Sequence, residues 1–253
     1  MGVRTVKFGP PTWRFLEGVA AAFDVRILKC KDQSERDVLI CLMKSFLSTF
    51  GFIIPCVYCR ISFQSFTTDN DCDNINLDQN LIVEHGAKRL IYNIHNCVNE
   101  KLKTQCLIDA ATSSERNKVC KRCDINSITF EEALESRFVL PSDIYFWDQS
   151  VLTLLYIMCD ESNFDGEYVY ITDFLDVYSK LMVHLNFSFM QTFMDRCVRS
   201  IQSKELTTLE QRLDIVKCYK KMVYTYWGKE FTWNKDKMLQ LCYDAIVGCD
   251  KSI

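Results

Sequence analysis

Apolar residues recur at steps of three and four along most of the chain, which is the spacing of amphipathic helices. In the first half this pattern predicts four helices, over about 8–23, 34–50, 56–66 and 81–102. Ser34 is the expected N-cap of the second helix, because its hydroxyl can accept a backbone N–H. The predicted apolar stripe of that helix is Val38, Cys41, Leu42, Phe46 and Phe50. Four consecutive helices with short connections favour an antiparallel bundle.

The second half returns to the helical pattern after an irregular stretch. Residues 104–127 show no clean period and are interpreted as a connector. Beyond residue 128 the spacing predicts helices over 142–159, 172–185, 187–202, 207–226 and 232–247. Thr207 with Glu210 fits a capping box, in which each residue satisfies a backbone N–H of the other. We therefore expect an all-α protein with a four-helix bundle at 1–125 and a separate helical domain at 126–253.

The second predicted domain carries no recognisable catalytic pattern. It shows no His/Cys cluster, glycine-rich loop or carboxylate pair, and His184 lies on an apolar face where we expect a core residue. We interpret this domain as an interaction module for self-association or substrate recruitment. Because helical domains commonly associate through apolar faces, we expect a homodimer.

Composition narrows the function further. Hydrophobic residues make up 48% of the chain and aromatic residues 13%, which is ample for a packed core. The net charge of −3 argues against nucleic acid and against an anionic membrane surface as partners. The longest apolar run, residues 151–159, is too short for a membrane span, which needs about 20 residues. With no signal peptide in view, we expect a soluble protein.

Fourteen cysteines are many for a chain without an export signal. In a reducing compartment most should remain thiols, so those scattered singly on helix faces are interpreted as small buried apolar residues. These single cysteines are Cys41, Cys159, Cys197, Cys218 and Cys242. Only Cys56/Cys59 and Cys120/Cys123 have a spacing that suggests chemistry.

The Pro-Cys-x-x-Cys sequence at Pro55, Cys56 and Cys59 is the strongest of these signals. Proline suits the start of a helix, where its missing N–H costs nothing. A cysteine at that end has its thiol pKa lowered by the helix dipole, which makes a reactive thiolate. Cys59 then lies one turn later, within reach of a disulfide. The same pair could instead be half of a zinc site.

His95 and Asn99 lie one turn apart on the fourth predicted helix and share a face. Alone they indicate no more than a half-buried histidine beside an amide. They become more informative when they are taken together with two earlier segments, Gly9 to Trp13 and Pro55 to Cys59.

The order of these three motifs carries a family resemblance. G-x-x-T-W at residues 9–13, P-C-x-x-C at 55–59 and H-N-x-V-N-x-x-L at 95–102 resemble the Erv/ALR family of FAD-linked sulfhydryl oxidases. The chain is similar in particular to the versions carried by large DNA viruses. The resemblance covers roughly residues 5–123.

The resemblance implies that the bundle holds FAD, with Cys59 nearest the flavin and Cys56 exchanging with incoming thiols. The cofactor would be lined by Gly9, Thr12, Trp13 and the position of Glu17 on the first helix. Its adenine, ribose or pyrophosphate would be contacted by His95, Asn96, Asn99 and Lys101. Aromatic faces stack on planar rings, and a His/Asn pair offers hydrogen bonds to a ribose or an adenine edge.

By the same resemblance the partners are thiol-containing substrate proteins and molecular oxygen. Disulfides would form in the substrates, and oxygen would be reduced to hydrogen peroxide. A viral enzyme of this kind would act in the host cytoplasm and could enter the virion.

The chain departs from the family pattern at several positions. Glu17 stands where the family has histidine, and a carboxylate there would disfavour an anionic reduced flavin. Leu90 and Tyr92 replace a tryptophan and a cysteine, and no G-K-P follows the third motif. The family's structural disulfide is therefore missing in its usual form, and Cys97 with Cys106 is a candidate substitute.

Cys120/Cys123 leaves two interpretations open. In many family members a second C-x-x-C relays electrons to the inner pair, whereas the basic Lys121 and Arg122 between them suit an exposed structural disulfide or metal pair equally well. A zinc-binding adaptor using all four cysteines is the alternative function. A thioredoxin-like enzyme is set aside, because neither flank of the first pair shows the two-residue period of strands.

Overall fold

All secondary structure in the described part of the computed structural model is helical. The structure describes residues 3, 5–68, 81, 84–109, 128–161, 169–198, 206 and 208–246. Its α-helices are α1 (Thr5–Lys29), α2 (Gln33–Ile53), α3 (Val57–Thr68), α4 (Gly86–Asp109), α5 (Phe130–Ser136), α6 (Ile144–Cys159), α7 (Val169–His184), α8 (Phe189–Phe193), α9 (Leu209–Tyr226) and α10 (Lys235–Ile246). A π-helical turn, Met194–Val198, follows α8. The all-α prediction is confirmed.

Several helix ends differ from the predicted ones. Asp32, not Ser34, caps α2, because the Asp32 carboxylate accepts the backbone N–H of Ser34. The capping box of α9 is formed by Thr208 and Gln211, one residue beyond the predicted pair. At α4 the cap comes from a distant residue: the Asp24 carboxylate on α1 accepts the N–H groups of Ala87 and Lys88 at 2.9 and 3.1 Å.

The predicted stripe of α2 is confirmed at Phe46 and Phe50, which are buried, and was wrong at Val38 and Cys41. Val38 is 44% exposed and Cys41 is exposed, so neither faces the core. The buried side chains of α2 are Leu39, Met43, Phe46, Leu47, Phe50 and Ile53. His184, expected in the core, is exposed at the end of α7.

Helices from both halves of the chain pack on one another. α1 packs on α4 and, more extensively, on α6, while α2 packs on α3 and most extensively on α7. α3 contacts α4, and α6 also contacts α9 and α10. An aromatic cluster joins the halves: Phe15, Phe46, Phe50, Phe146, Phe174 and Tyr178. The division into domains at 1–125 and 126–253 stays a prediction about folding units.

Four cysteines that the sequence predicted to be thiols form two disulfides. Cys159 at the end of α6 is bonded to Cys242 on α10, and Cys197 is bonded to Cys218 on α9. The prediction of single buried thiols was therefore wrong for these four residues. It was wrong in another way for Cys41, which is a thiol but lies on the surface.

No helix within the described ranges is both long enough and apolar enough to cross a membrane.

Candidate functional site

The cysteine pair lies at the N-terminus of α3. Cys56 directly precedes the first helical residue, and its carbonyl accepts the N–H of Arg60 at 2.9 Å. The Cys56 sulfur accepts the backbone N–H of Cys59 at 3.3 Å, as the side chain of an N-cap residue does. Cys56 is 9% exposed and Cys59 is half-buried. The predicted place of Cys56 at a helix start is confirmed, with Pro55 two residues before the first helical residue.

Two side-chain contacts anchor α3 to its neighbours. Arg60, next to Cys59, bonds to the Asp160 carboxylate at 3.1 Å, and the Asp160 side chain has no exposed surface. The second contact comes from α4, where the Lys101 ammonium donates to the hydroxyl of the buried Ser62. The helix that follows Cys56 and contains Cys59 is thus tied to α4 and to the end of α6.

The other predicted residues converge between α1 and α4. The rings of Trp13 and His95 stack face to face, with centroids 3.9 Å apart and planes within 7°. Glu17 lies one turn after Trp13, is 3% exposed, and places one carboxylate oxygen 3.5 Å from Nδ1 of His95. Its second oxygen lies 3.8 Å from the guanidinium of Arg14. A buried carboxylate is costly unless it is paired, and here it has two cationic or ionisable neighbours.

Sequence reasoning missed Arg137 as a member of this site. It follows α5, beyond the predicted domain boundary, and its Nη1 lies 3.3 Å from Nδ1 of His95. α5 is held on α4 by the Tyr92 hydroxyl, which donates to the carbonyl of Ile128, and by Arg89 over the Phe130 ring. No spacing signal links Arg137 to His95, so only the fold could bring them together.

The remaining predicted cofactor residues lie on the same two helices, α1 and α4. Thr12 is buried on α1, and a Cβ added at Gly9 would meet open space. Asn96 and Asn99 are half-buried on α4, and Lys101 is exposed apart from its Ser62 contact. These groups offer aromatic faces, amides and cations, a donor set that suits a planar, phosphate-bearing cofactor.

Part of the predicted chemistry lies outside the described residues. Cys120 and Cys123 both fall there, so neither the shuttle pair nor a four-thiolate zinc site is tested. Cys97 takes part in a disulfide, but the side chain of Cys106 is not described. Among the residues that are described, no three His, Cys, Asp or Glu side chains come together as a metal site would require.

A small internal cavity lies away from both cysteines and the stacked pair. Its volume is about 10 Å³, which is room for a single water molecule. The Tyr219 hydroxyl at its wall bonds to Tyr178 at 2.7 Å and to Ser150 at 2.9 Å. We interpret it as part of the packed core, because it is far too small for a cofactor.

Comparison of the chain with protein-family models, with curated protein sequences and with solved structures found no match.

Proposed function

We propose that the chain is an FAD-dependent thiol oxidase that forms disulfides in substrate proteins through Cys56 and Cys59. The observation that carries the proposal is the Cys56 sulfur at the N-terminus of α3, where it accepts the N–H of Cys59. A helix N-terminus stabilises a thiolate, and a thiolate is the species that exchanges disulfides. The motif resemblance and the stacked Trp13–His95 pair supply the cofactor part of the proposal.

The cycle starts from a Cys56–Cys59 disulfide. A substrate thiolate attacks the Cys56 sulfur, so a substrate–Cys56 bond forms, the Cys56–Cys59 bond breaks, and Cys59 leaves as a thiolate. A second substrate thiolate then attacks the mixed disulfide and releases Cys56 as a thiolate. The N–H of Cys59 is in place to stabilise that charge. FAD, when bound, would accept the two electrons that the Cys56 and Cys59 thiolates give up as their disulfide re-forms, and would pass them to oxygen, giving hydrogen peroxide.

The proposed cofactor residues have distinct tasks. Trp13 and His95 would hold a planar ring, while Asn96, Asn99 and Lys101 would bind ribose and phosphate groups. The resemblance further implies thiol-containing proteins as partners, a homodimer, and action in a host cytoplasm or a virion.

The direct test is oxygen consumption with a small dithiol as substrate. Cys59→Ser is expected to abolish turnover while the purified protein keeps its flavin, because that change removes a sulfur and leaves the stacked pair intact. Cys41→Ser is the matched control, since Cys41 is an exposed thiol on α2, and it should keep full activity. Undiminished oxygen consumption by Cys59→Ser would end the proposal.

The alternative function, a zinc-binding adaptor, can be tested on the same purified protein. It predicts a colourless protein that contains zinc and loses structure when a chelator removes the metal.

A further inference from the structure

We propose that Arg137 is a positioning residue of the cofactor site, so that both halves of the chain build it. The inference rests on the proposed function. The Arg137 guanidinium acts on His95, whose ring faces Trp13, and does so through a nitrogen that also faces Glu17.

Donor and acceptor roles at His95 follow from elementary chemistry. A guanidinium only donates hydrogen bonds and does not lose its proton in proteins. Arg137 can therefore bond to Nδ1 of His95, 3.3 Å away, only if that nitrogen carries no proton. This contact selects the neutral tautomer with the proton on Nε2, and it fixes the rotation of the ring about its side chain.

Glu17 favours the opposite state. A carboxylate only accepts, so its oxygen 3.5 Å from the same nitrogen would bond to Nδ1 when Nδ1 carries a proton. One nitrogen thus faces a donor and an acceptor, and the shorter contact is to Arg137. The Arg14 guanidinium lies beside the other oxygen of Glu17 and partly neutralises the carboxylate, which weakens the attraction of Glu17 for a proton on Nδ1. The charged groups around the ring therefore favour the Arg137-bonded tautomer.

The consequence concerns how the cofactor site is assembled. Trp13, Glu17 and His95 lie within the first 125 residues, whereas Arg137 follows α5. With Arg137 in place, Nε2–H and the outer face of the imidazole are held ready for the adenine or ribose of a nucleotide. Without it, Glu17 can turn the ring toward itself and disturb the stack on Trp13.

The test uses the full-length protein without flavin and reads the tautomer by ¹⁵N chemical shifts of the histidine rings. The chain has three histidines, so assignment is simple. His95 is expected to show an unprotonated Nδ1 and a protonated Nε2. Arg137→Ala should shift the proton toward Nδ1, and Arg137→Lys, which keeps a cationic donor, should restore part of the original pattern. His85 and His184 should not change in either variant, and the far-ultraviolet circular dichroism of the helices shows that the variants remain folded.

A second readout is the affinity of the refolded or stripped protein for FAD. Arg137→Ala should bind FAD about tenfold more weakly, the size of one lost hydrogen bond. Arg196→Ala, which removes an exposed arginine of the π-helical turn, is the matched control and should bind normally.

The outcomes separate the two proposals. Two results would overturn the role of Arg137 whether or not the protein binds FAD. One is a wild-type His95 with its proton on Nδ1, and the other is a set of His95 nitrogen shifts that are the same in the wild type and in Arg137→Ala. The expected tautomer change in a protein that binds no FAD overturns the proposed function and, with it, the role of Arg137 in a cofactor site. The tautomer change together with weakened FAD binding supports both.

Discussion

Glu17 brings a carboxylate into the interior beside the stacked Trp13–His95 pair, where the resembling family has histidine. One of its oxygens lies 3.8 Å from the guanidinium of Arg14, so the negative charge is partly balanced. In the proposed site, a carboxylate beside a flavin would disfavour the anionic reduced form. At the scale of single residues, Arg14 therefore softens the effect of Glu17 on the proposed cofactor.

Tyr224 gives a pH-dependent prediction. Its hydroxyl donates to Asp148 at 2.7 Å, and burial, together with that hydrogen bond and the Asp148 charge, raises the Tyr224 pKa from 10.0 to about 12. Between pH 10 and 12 the folded state keeps a proton that the unfolded state loses, so the free energy of unfolding falls as pH rises through this interval. Tyr224→Phe should make that decline shallower.

Urea unfolding below and within this pH interval measures the effect. Tyr145→Phe, at a 60% exposed tyrosine on the same helix as Asp148, is the control and should leave the slope unchanged. Equal slopes for wild type and Tyr224→Phe would show that the bond to Asp148 does not hold the proton.

Gly18 gives a packing prediction. A Cβ at Gly18 would collide with the ring of Phe146, so α1 and α6 approach closely because this residue has no side chain. Gly18→Ala should destabilise the protein by about 1–3 kcal/mol in spite of the better helix propensity of alanine. Thermal unfolding of the flavin-free protein measures the change.

Gly9→Ala is the matched comparison on the same helix. Nothing lies within 4 Å of a Cβ built there, so the helix propensity of alanine should leave stability unchanged or raised by up to about 1 kcal/mol. A Gly18→Ala protein as stable as Gly9→Ala would mean that α1 and α6 are not packed as described.

At the scale of elements, α3 is held by an ion pair whose carboxylate is buried and whose guanidinium is half-buried. The Asp160 carboxylate has no exposed surface and bonds to Arg60, the residue after Cys59. Asp160→Ala would remove the carboxylate from Arg60, whose side chain is 18% exposed, and losing a hydrogen bond between charged groups costs about 1.5–3 kcal/mol. Asp160→Ala should lower the free energy of unfolding by that amount, as measured by denaturant titration.

The comparison for this change is Asp176→Ala on α7. Its partner Lys180 is 58% exposed, and exposed pairs of this kind contribute under about 1 kcal/mol. If the two variants lose the same stability, Arg60 and Asp160 do not form the interior contact.

Sequence patterns predicted the elements better than their details. Long apolar periods located α1, α2, α4, α6 and α9, because burial of one face requires that spacing. α5 escaped prediction because seven residues are too few to show a period. Caps were shifted by one or two residues, as at Asp32 and Thr208, because several side chains near a helix end can accept the same N–H and only packing selects one.

At the scale of the whole molecule, the two halves share their core. Phe15 of α1 and Phe46 of α2 contact Tyr178 of α7, a packing that no local pattern could show. The same limit applies to the candidate site. Cys56, Trp13 and His95 stood out as motif residues, whereas Arg137 and Asp160 act across the fold and carry no motif.

The disulfides follow the same rule. Cys159 and Cys242 lie 83 residues apart, and only the packing of α10 on α6 brings them together. The sequence favoured thiols for these residues, because that expectation assumed a reducing compartment and took no account of the distances between side chains.

The central claim is that Cys56/Cys59 and the Trp13–His95 pair serve one bound flavin. The most direct measurement is the visible absorption spectrum of the purified protein, before and after anaerobic addition of a small dithiol. The account predicts oxidised flavin bands that bleach in the wild type and persist in Cys59→Ser. A colourless protein, or flavin bands that bleach equally in Cys59→Ser, would contradict it.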